Sequence, residues 1–246
     1  METRVTEIAP GIHQLTTNVD ELPVALNQYL IAGEEPALFH AGMRFVFSSA
    51  STAVSKVLPV EQLRWISFGH VEADESGAMN DWLALAPHAT VAQSEIGCMV
   101  SLWDLADRPP RPLADGEMLD IGGHVLQWFD TPHVPHAWEA GVLYDTTTRT
   151  LLCGDLFTRY GPFEASTDGD IVGPAVEAED IAPGSLSLHP ASGATIRRLA
   201  ELPVEILAPM HAPAFTGDCR QALLDLADDF DRRIADLDGR VTPPAA

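Results

Sequence analysis

Gly69-His70-Val71-Glu72-Ala73-Asp74-Glu75 sets four metal-capable side chains within seven residues. Before it, Trp65 to Phe68 is a short β-like run. After it, Ser76 to Ala86 has helical periodicity, with Ser76 as the expected N-cap and Pro87 as the stop. The stretch therefore belongs on a strand-to-helix loop, where its side chains can converge on one centre. Taken alone it reads equally well as a solvated acidic turn. Three further places break the tie. His136 precedes the strand expected from Gly141, Asp155 directly follows the apolar run Leu151-Leu152-Cys153-Gly154, and His211 follows the β-like Val204 to Leu207. His70, Asp155 and His211 thus come after strands, at the end where open α/β sheets carry their sites. A single histidine or aspartate at such a place is usually structural, but several in this order are hard to dismiss.

Outward from that loop the chain alternates between strand and helix patterns. Gly11 to Leu15, Val24 to Ala32 and Ala37 to Phe39 read as a β-meander, and Phe45 to Leu58 reads as a helix. Thr90 to Gln93 is a further strand, and the proline-rich Arg108 to Pro112 reads as a connector. Gly122-Gly123 turns a hairpin within Met118 to Phe129, and Asp145 to Arg149 turns another between Gly141 to Tyr144 and Thr150 to Cys153. Thr167 to Pro183 is polar and punctuated, which predicts a long surface loop near the site. Ala194 to Leu202 and Gly217 to Leu237 are expected helices around the strand at Val204 to Leu207. Two halves, each of strands followed by helices, predict an α/β four-layer αββα sandwich.

Composition narrows the function. A chain of 246 residues with 46% hydrophobic residues can bury a full core, and one domain over residues 1–246 is expected. The start METRVTEIAPGIHQL has charges and a proline where a secretory segment would be apolar, and no apolar run reaches bilayer length, so a cytoplasmic protein with no membrane partner is expected. Cys98, Cys153 and Cys219 form no C-x-x-C pair, which argues against a disulfide framework or a cysteine zinc site. The formal charge of −22 repels phosphate backbones and disfavours nucleic acid as a partner. Most tryptophans are expected in the core, with Trp138, two residues after His136, as a candidate wall of the site. Tyr160 is a weak candidate for a site hydroxyl, and His88, His124 and His189 have no motif partner.

These residues resemble the metallo-β-lactamase superfamily, and within it the flavodiiron branch and its stand-alone oxygen-binding di-iron proteins. That branch has H-x-E-x-D where zinc hydrolases show H-x-H-x-D-H. His70-x-Glu72-x-Asp74 matches it, His136 matches the next histidine, Gly154-Asp155 the bridging aspartate and His211 the last histidine. Asn27-Gln28-Tyr29-Leu30-Ile31 is similar to the family's early strand. The resemblance runs from about residue 8 to residue 215 and implies a dinuclear site held by His70, Glu72, Asp74, His136, Asp155 and His211. There are departures. Glu75 stands where the family has a histidine, so the second metal either keeps an open position or takes an extra carboxylate. His133 competes with His136 and is otherwise expected behind it. His40 in His40-Ala41-Gly42 is either a hydrogen-bonding residue behind the site or an ordinary loop histidine.

Three or four carboxylates make a hard, anionic ligand set that leans toward iron over zinc. The resemblance then implies two iron ions binding dioxygen or nitric oxide, in a sensor or in a reductase component served by a separate electron-donor or signalling protein. About thirty-five residues follow His211, which is too few for a flavin domain, so no flavin is expected in this chain. A homodimer stays open. The alternative is a dinuclear zinc hydrolase acting on an ester, thioester, lactone or phosphodiester.

Overall fold

The computed structural model describes residues 2–19 and 22–241. Its first sheet runs in sequence order through β1 (Thr3–Ala9), β2 (Ile12–Thr17), β3 (Leu26–Ile31), β4 (Ala37–Phe39), β5 (Trp65–Ser67), β6 (Thr90–Ser94) and β7 (Arg111–Leu113). Strands β1 to β4 pair antiparallel and β4 to β7 parallel. The change falls where short hairpins give way to a crossover through the helix Phe47–Val54, because parallel neighbours need a long return. The second sheet contains β8 (Met118–Asp120), β9 (Val125–Asp130), β10 (Gly141–Asp145), β11 (Thr150–Leu152), β12 (Ser166–Thr167), β13 (Ile206–Ala208) and β14 (Ala214–Phe215). Their spatial order is β12-β14-β13-β11-β10-β9-β8.

Apolar residues divide into layers that explain the stacking. Tyr29, Ile31 and Phe39 of the first sheet pack with Leu126, Trp128, Leu143 and Leu152 of the second. On the outer face of the first sheet, Leu30, Leu38 and Ile66 meet Ala50, Val54, Trp82 and Leu83 from the helices Phe47–Val54 and Met79–Leu85. On the outer face of the second, Leu151 and Leu207 meet the helices Val172–Ile181, Ser192–Leu199 and Cys219–Val241. Leu223, Leu226, Ala227 and Phe230 give the last helix its buried stripe, and each large side chain buried there contributes about 1.5–3 kcal/mol. The four-layer αββα sandwich expected from the sequence is present.

Several local expectations change. The helix expected from Ser76 to Ala86 is two elements, a short turn Ala73–Ser76 with Glu72 extended at its cap and the helix Met79–Leu85, and Ser76 is not a cap. Its hydroxyl donates back to the Glu72 carbonyl at 2.8 Å. Residues 167–183 are not one loop, since Val172–Ile181 is a helix. Asp170 Oδ1 accepts from the Val172 and Gly173 N–H groups, and Pro174 sits in the first turn, where a missing N–H costs nothing. The proline-rich connector contributes β7 to the sheet edge, and β1 lies in a stretch that shows little alternation. Trp82 and Trp128 are core residues, whereas Trp103 and Trp138 are exposed.

Candidate metal centre

The loops after β5, β11 and β13 leave the two sheets at the same edge, and the loop before β10 folds over them. Gly154 turns the chain out of β11 at φ +55°, a conformation that suits glycine, and delivers Asp155 between the sheets. The His211 loop is fastened from the other sheet: Asn27 Nδ2 donates to the carbonyls of Pro209 (3.0 Å) and Ala212 (2.8 Å), and the Tyr29 hydroxyl donates to Pro209 (2.6 Å). Gly141 N–H donates to the Gly69 carbonyl at 2.8 Å, tying the His136 loop to the His70 loop.

One donor atom each from His70, Glu72, His136 and Asp155 lies within 4.8 Å of the others. His70 Nε2 is 3.0 Å from Glu72 Oε2 and 3.7 Å from Asp155 Oδ2, and His136 Nε2 is 3.1 Å from Asp155 Oδ2 and 3.6 Å from Glu72 Oε2. Ligands about 2.1 Å from one ion stand roughly 3–4 Å apart, so this spacing suits a single cation. On the other side of Asp155, His211 Nε2 is 3.2 Å from both Asp74 Oδ2 and Asp155 Oδ1. Asp155 therefore turns one oxygen to each group, as a bridging carboxylate does. Asp74 Oδ1 and Asp155 Oδ1 are buried and accept no hydrogen bond, a costly state that a cation relieves. The residues present fit two metal ions.

Charge confirms how anionic the pocket is. Burial opposes a charge on His70, but the neighbouring Glu75 and the hydrogen bonds to Glu72 and Glu75 outweigh it and raise the His70 pKa to about 12. His211 is likewise disfavoured by burial yet raised to about 10 by Asp155 and Asp74. Burial pushes Asp155 up, and its contacts with His136 and His211 pull it well below the usual carboxylate range. Glu72 is lowered by its hydrogen bond with His70.

Glu75 does not turn its carboxylate into the cluster, so of the two alternatives raised by the sequence the extra carboxylate ligand falls and the open position stays. Its carboxylate is fully buried behind His70, accepting from the His70 N–H at 2.9 Å and standing 3.3 Å from His70 Nδ1. It orients that imidazole so that Nε2 faces the centre. His211 is held the same way, with Nδ1 2.8 Å from the Ala25 carbonyl. His40 is buried behind the site, its Nδ1 3.0 Å from the Asn27 carbonyl and its Nε2 3.6 Å from Glu75 Oε1, and burial lowers its pKa. His133 does not join the cluster; its ring stacks on His189 at 4.7 Å. Trp138 is 53% exposed and does not line the cavity over the centre, whereas Tyr160 does. The buried Glu139 was missed: it accepts from the Val71 N–H at 3.2 Å, and its carbonyl accepts from Gln93 and Ser94. Nothing in the sequence marks it apart from other acids.

A family model described as ODP family beta lactamase matches residues 24–212. The chain belongs to this family. A putative diflavin flavoprotein A 1 from Thermosynechococcus vestitus is 28% identical over 199 residues, covering 76% of this chain and 33% of that protein. One from Synechocystis, putative diflavin flavoprotein A 2, is 31% identical over 134 residues, covering 53% of this chain and 23% of that protein. The chain thus spans about a third or less of the length of the curated relatives it matches. Among solved structures, a flavo di-iron protein from Thermotoga maritima superposes with a TM-score of 0.82 at 18% identity, over 93% of this chain and 62% of that one. A fragment of the putative diflavin flavoprotein A 5 from Nostoc gives 0.77 at 18% identity, over 94% and 98%. Both share the fold of this ODP family chain. Among the described residues no helix is long and apolar enough to cross a membrane.

Proposed function

We propose that this chain is a di-iron protein that binds or reduces dioxygen or nitric oxide, with electrons delivered by a separate donor when it turns over. The observation that carries the reading is the division of three imidazoles and three carboxylates into two groups sharing Asp155. The relatives named diflavin flavoproteins and the structural neighbour named a flavo di-iron protein support it. His70, Glu72, His136 and Asp155 would hold one ion, and Asp74, Asp155 and His211 the other. Bound iron would supply the redox change and an open position for a small gas. Glu75 and the Ala25 carbonyl fix the faces of His70 and His211, and the three carboxylates favour the higher charge of oxidised iron over zinc.

Protein produced with iron and zinc both supplied should carry about two irons per chain. After anaerobic reduction its absorption should change on mixing with dioxygen, without added flavin. Zinc as the main metal, together with thioester or phosphodiester hydrolysis, would replace this reading by the hydrolase one.

A further inference from the structure

Apolar side chains are left uncovered beside the metal centre. Among the described residues eleven large hydrophobic side chains are exposed, and five of them fall in the helical segment 95–105: Ile96, Met99, Val100, Trp103 and Leu105. The segment follows β6 and consists of Glu95–Gly97, the π-wound turn Cys98–Leu102 and Trp103–Leu105. Cys98 and Leu102 bury its other face in the core outside the first sheet, which leaves Met99 (68% exposed) and Trp103 (58%) facing outward. β5 and β6 are parallel, so the segment leaves the sheet at the same edge as the His70 loop. Trp138 is the sixth. Ser94 Oγ accepts the Gly97 N–H at 3.0 Å, capping the segment, and donates to the Glu139 carbonyl at 3.0 Å, which fastens the Trp138-Glu139 backbone to this end of it. Trp138 also stands two residues from His136, at most about 7 Å between Cα atoms.

Size and charge say what covers this face. A stable interface takes about 20–30 residues from each side, whereas electron-transfer encounters are among the smallest specific ones. Six apolar side chains suit the second kind, and tryptophan and methionine are residues that interfaces favour. No lysine or arginine occurs between Arg64 and Arg108 or between Arg111 and Arg149, the two stretches that build the face. Arg108 itself is spent on the carbonyls of Leu83, Ala86 and Ala89. Glu95, Asp104 and Asp107 are exposed on or beside the segment. None of the three belongs to the metal centre, so their charge persists when ions are bound. A second copy would set like charges against like on a chain of net charge −22, whereas a partner with basic groups around an apolar contact is attracted.

We infer that the face formed by Ile96, Met99, Val100, Trp103, Leu105 and Trp138 docks the electron donor, a redox protein whose exposed redox group is rimmed by lysines or arginines, and that electrons pass beside His136. The inference rests on the di-iron reading above, in which two one-electron deliveries convert a diferric centre to a diferrous one. The probes are cytochrome c, whose haem edge is ringed by lysines, and its fully acetylated form, which keeps the haem and loses those charges. Binding to the zinc-loaded chain, followed by calorimetry, needs no iron. Saturable binding of cytochrome c is expected, weakened at least about tenfold by acetylation and at least about tenfold by Met99→Ser/Trp103→Ser. That double variant leaves every charge in place, so general attraction to an acidic surface stays. Where it lowers the folded fraction, Met99→Ser alone decides, with a loss of at least about threefold. Ile181→Ser, at an exposed side chain in the helical layer of the other sheet, should change nothing. The iron-loaded chain, reduced anaerobically, should pass one electron to each of two ferricytochrome c haems through the same face in reverse, at a rate that the double variant slows at least about tenfold. Binding or electron transfer indifferent to the double variant, or equal affinity for native and acetylated cytochrome c, overturns the inference. So does a dimer in sedimentation that the double variant dissolves, because a second copy would then cover the face. A chain that reacts with dioxygen yet gives any of these results keeps the oxygen reading and loses the inference. A face that binds cytochrome c on a chain that takes up no iron keeps the docking surface and loses the redox role together with the oxygen reading.

Discussion

Two buried histidine–aspartate contacts stand at opposite ends of the β10–β11 hairpin, and their surroundings differ in kind. At one end His124 Nδ1 is 3.0 Å from Asp145 Oδ2, and Asp145 also accepts from the Thr147 N–H, the Thr148 N–H and the Thr148 hydroxyl. Every partner there is a donor, so the carboxylate is satisfied and the turn is locked. At the other end Asp155 meets His70, His136 and His211 with two further carboxylates nearby, and one of its buried oxygens accepts no hydrogen bond. Acceptors crowd together there without enough donors. A buried acid surrounded by N–H and O–H groups is a structural pin, whereas buried acids facing each other through imidazoles call for a cation.

The contrast breaks most easily at Asp155. Asp155→Ala removes the one group shared by both halves of the centre and should lower metal content from about two ions per chain to near zero by elemental analysis. His136→Ala should lose one ion while His133→Ala keeps both, because His133 stacks on His189 away from the cluster. Retention of both ions by Asp155→Ala would show that the two groups do not share a bridge. At the other pole, Asp145→Ala strands four donors and should cost about 3–5 kcal/mol of stability with the metal content untouched. Metal loss from Asp145→Ala in protein that remains folded would erase the distinction between the two ends.

A smaller effect sharpens the picture within the centre. Glu75→Gln keeps an acceptor for the His70 N–H but removes the charge behind its ring. Metal affinity should fall about 10–100-fold in a competitive chelator titration, as for other residues that orient a ligand. An unchanged affinity would mean that Glu75 serves the fold alone.

Much of this was readable from residue order. His70, Glu72, Asp74, Asp155 and His211 lie beside strands whose apolar runs announce them, and the two glycine- and aspartate-rich turns around β9 to β11 set the second meander. The sequence shows Glu75 but not which way its side chain turns. A carboxylate following Asp74 can point into the centre or behind it, and only the helix starting at Ala73 decides, by turning Glu75 toward the His70 N–H. The helix Val172–Ile181 was hidden by Gly173 and Pro174, which read as loop residues until Asp170 is known to cap the first turn. Glu139 and the Asn27 clamp act across 40 residues or more, a range at which local pattern carries no signal.

The last and smallest expected effect concerns pH and separates protons from metal as the cation at the centre. In protein stripped by chelation, the carboxylates hold His70 and His211 protonated, with pKa values of about 12 and about 10. Both lie above the ~6.5 of an unfolded histidine, so their stabilisation is complete below pH 6.5 and is lost as pH rises through the folded values. Asp155 acts in the other direction: its lowered pKa contributes above about pH 4 and is lost only as pH falls well below that, outside this window. Between pH 6.5 and 10 the stripped chain should therefore lose stability, read as a falling Tm, relative to the metal-loaded chain measured in parallel. Metal takes the place of these protons, so its affinity should rise over the same interval. The loaded chain subtracts the titration of surface groups that both forms share. Parallel pH profiles for the two forms would mean that His70 and His211 do not hold protons against these carboxylates, and the cation-deficient end of the hairpin would then differ from the His124–Asp145 end in geometry alone.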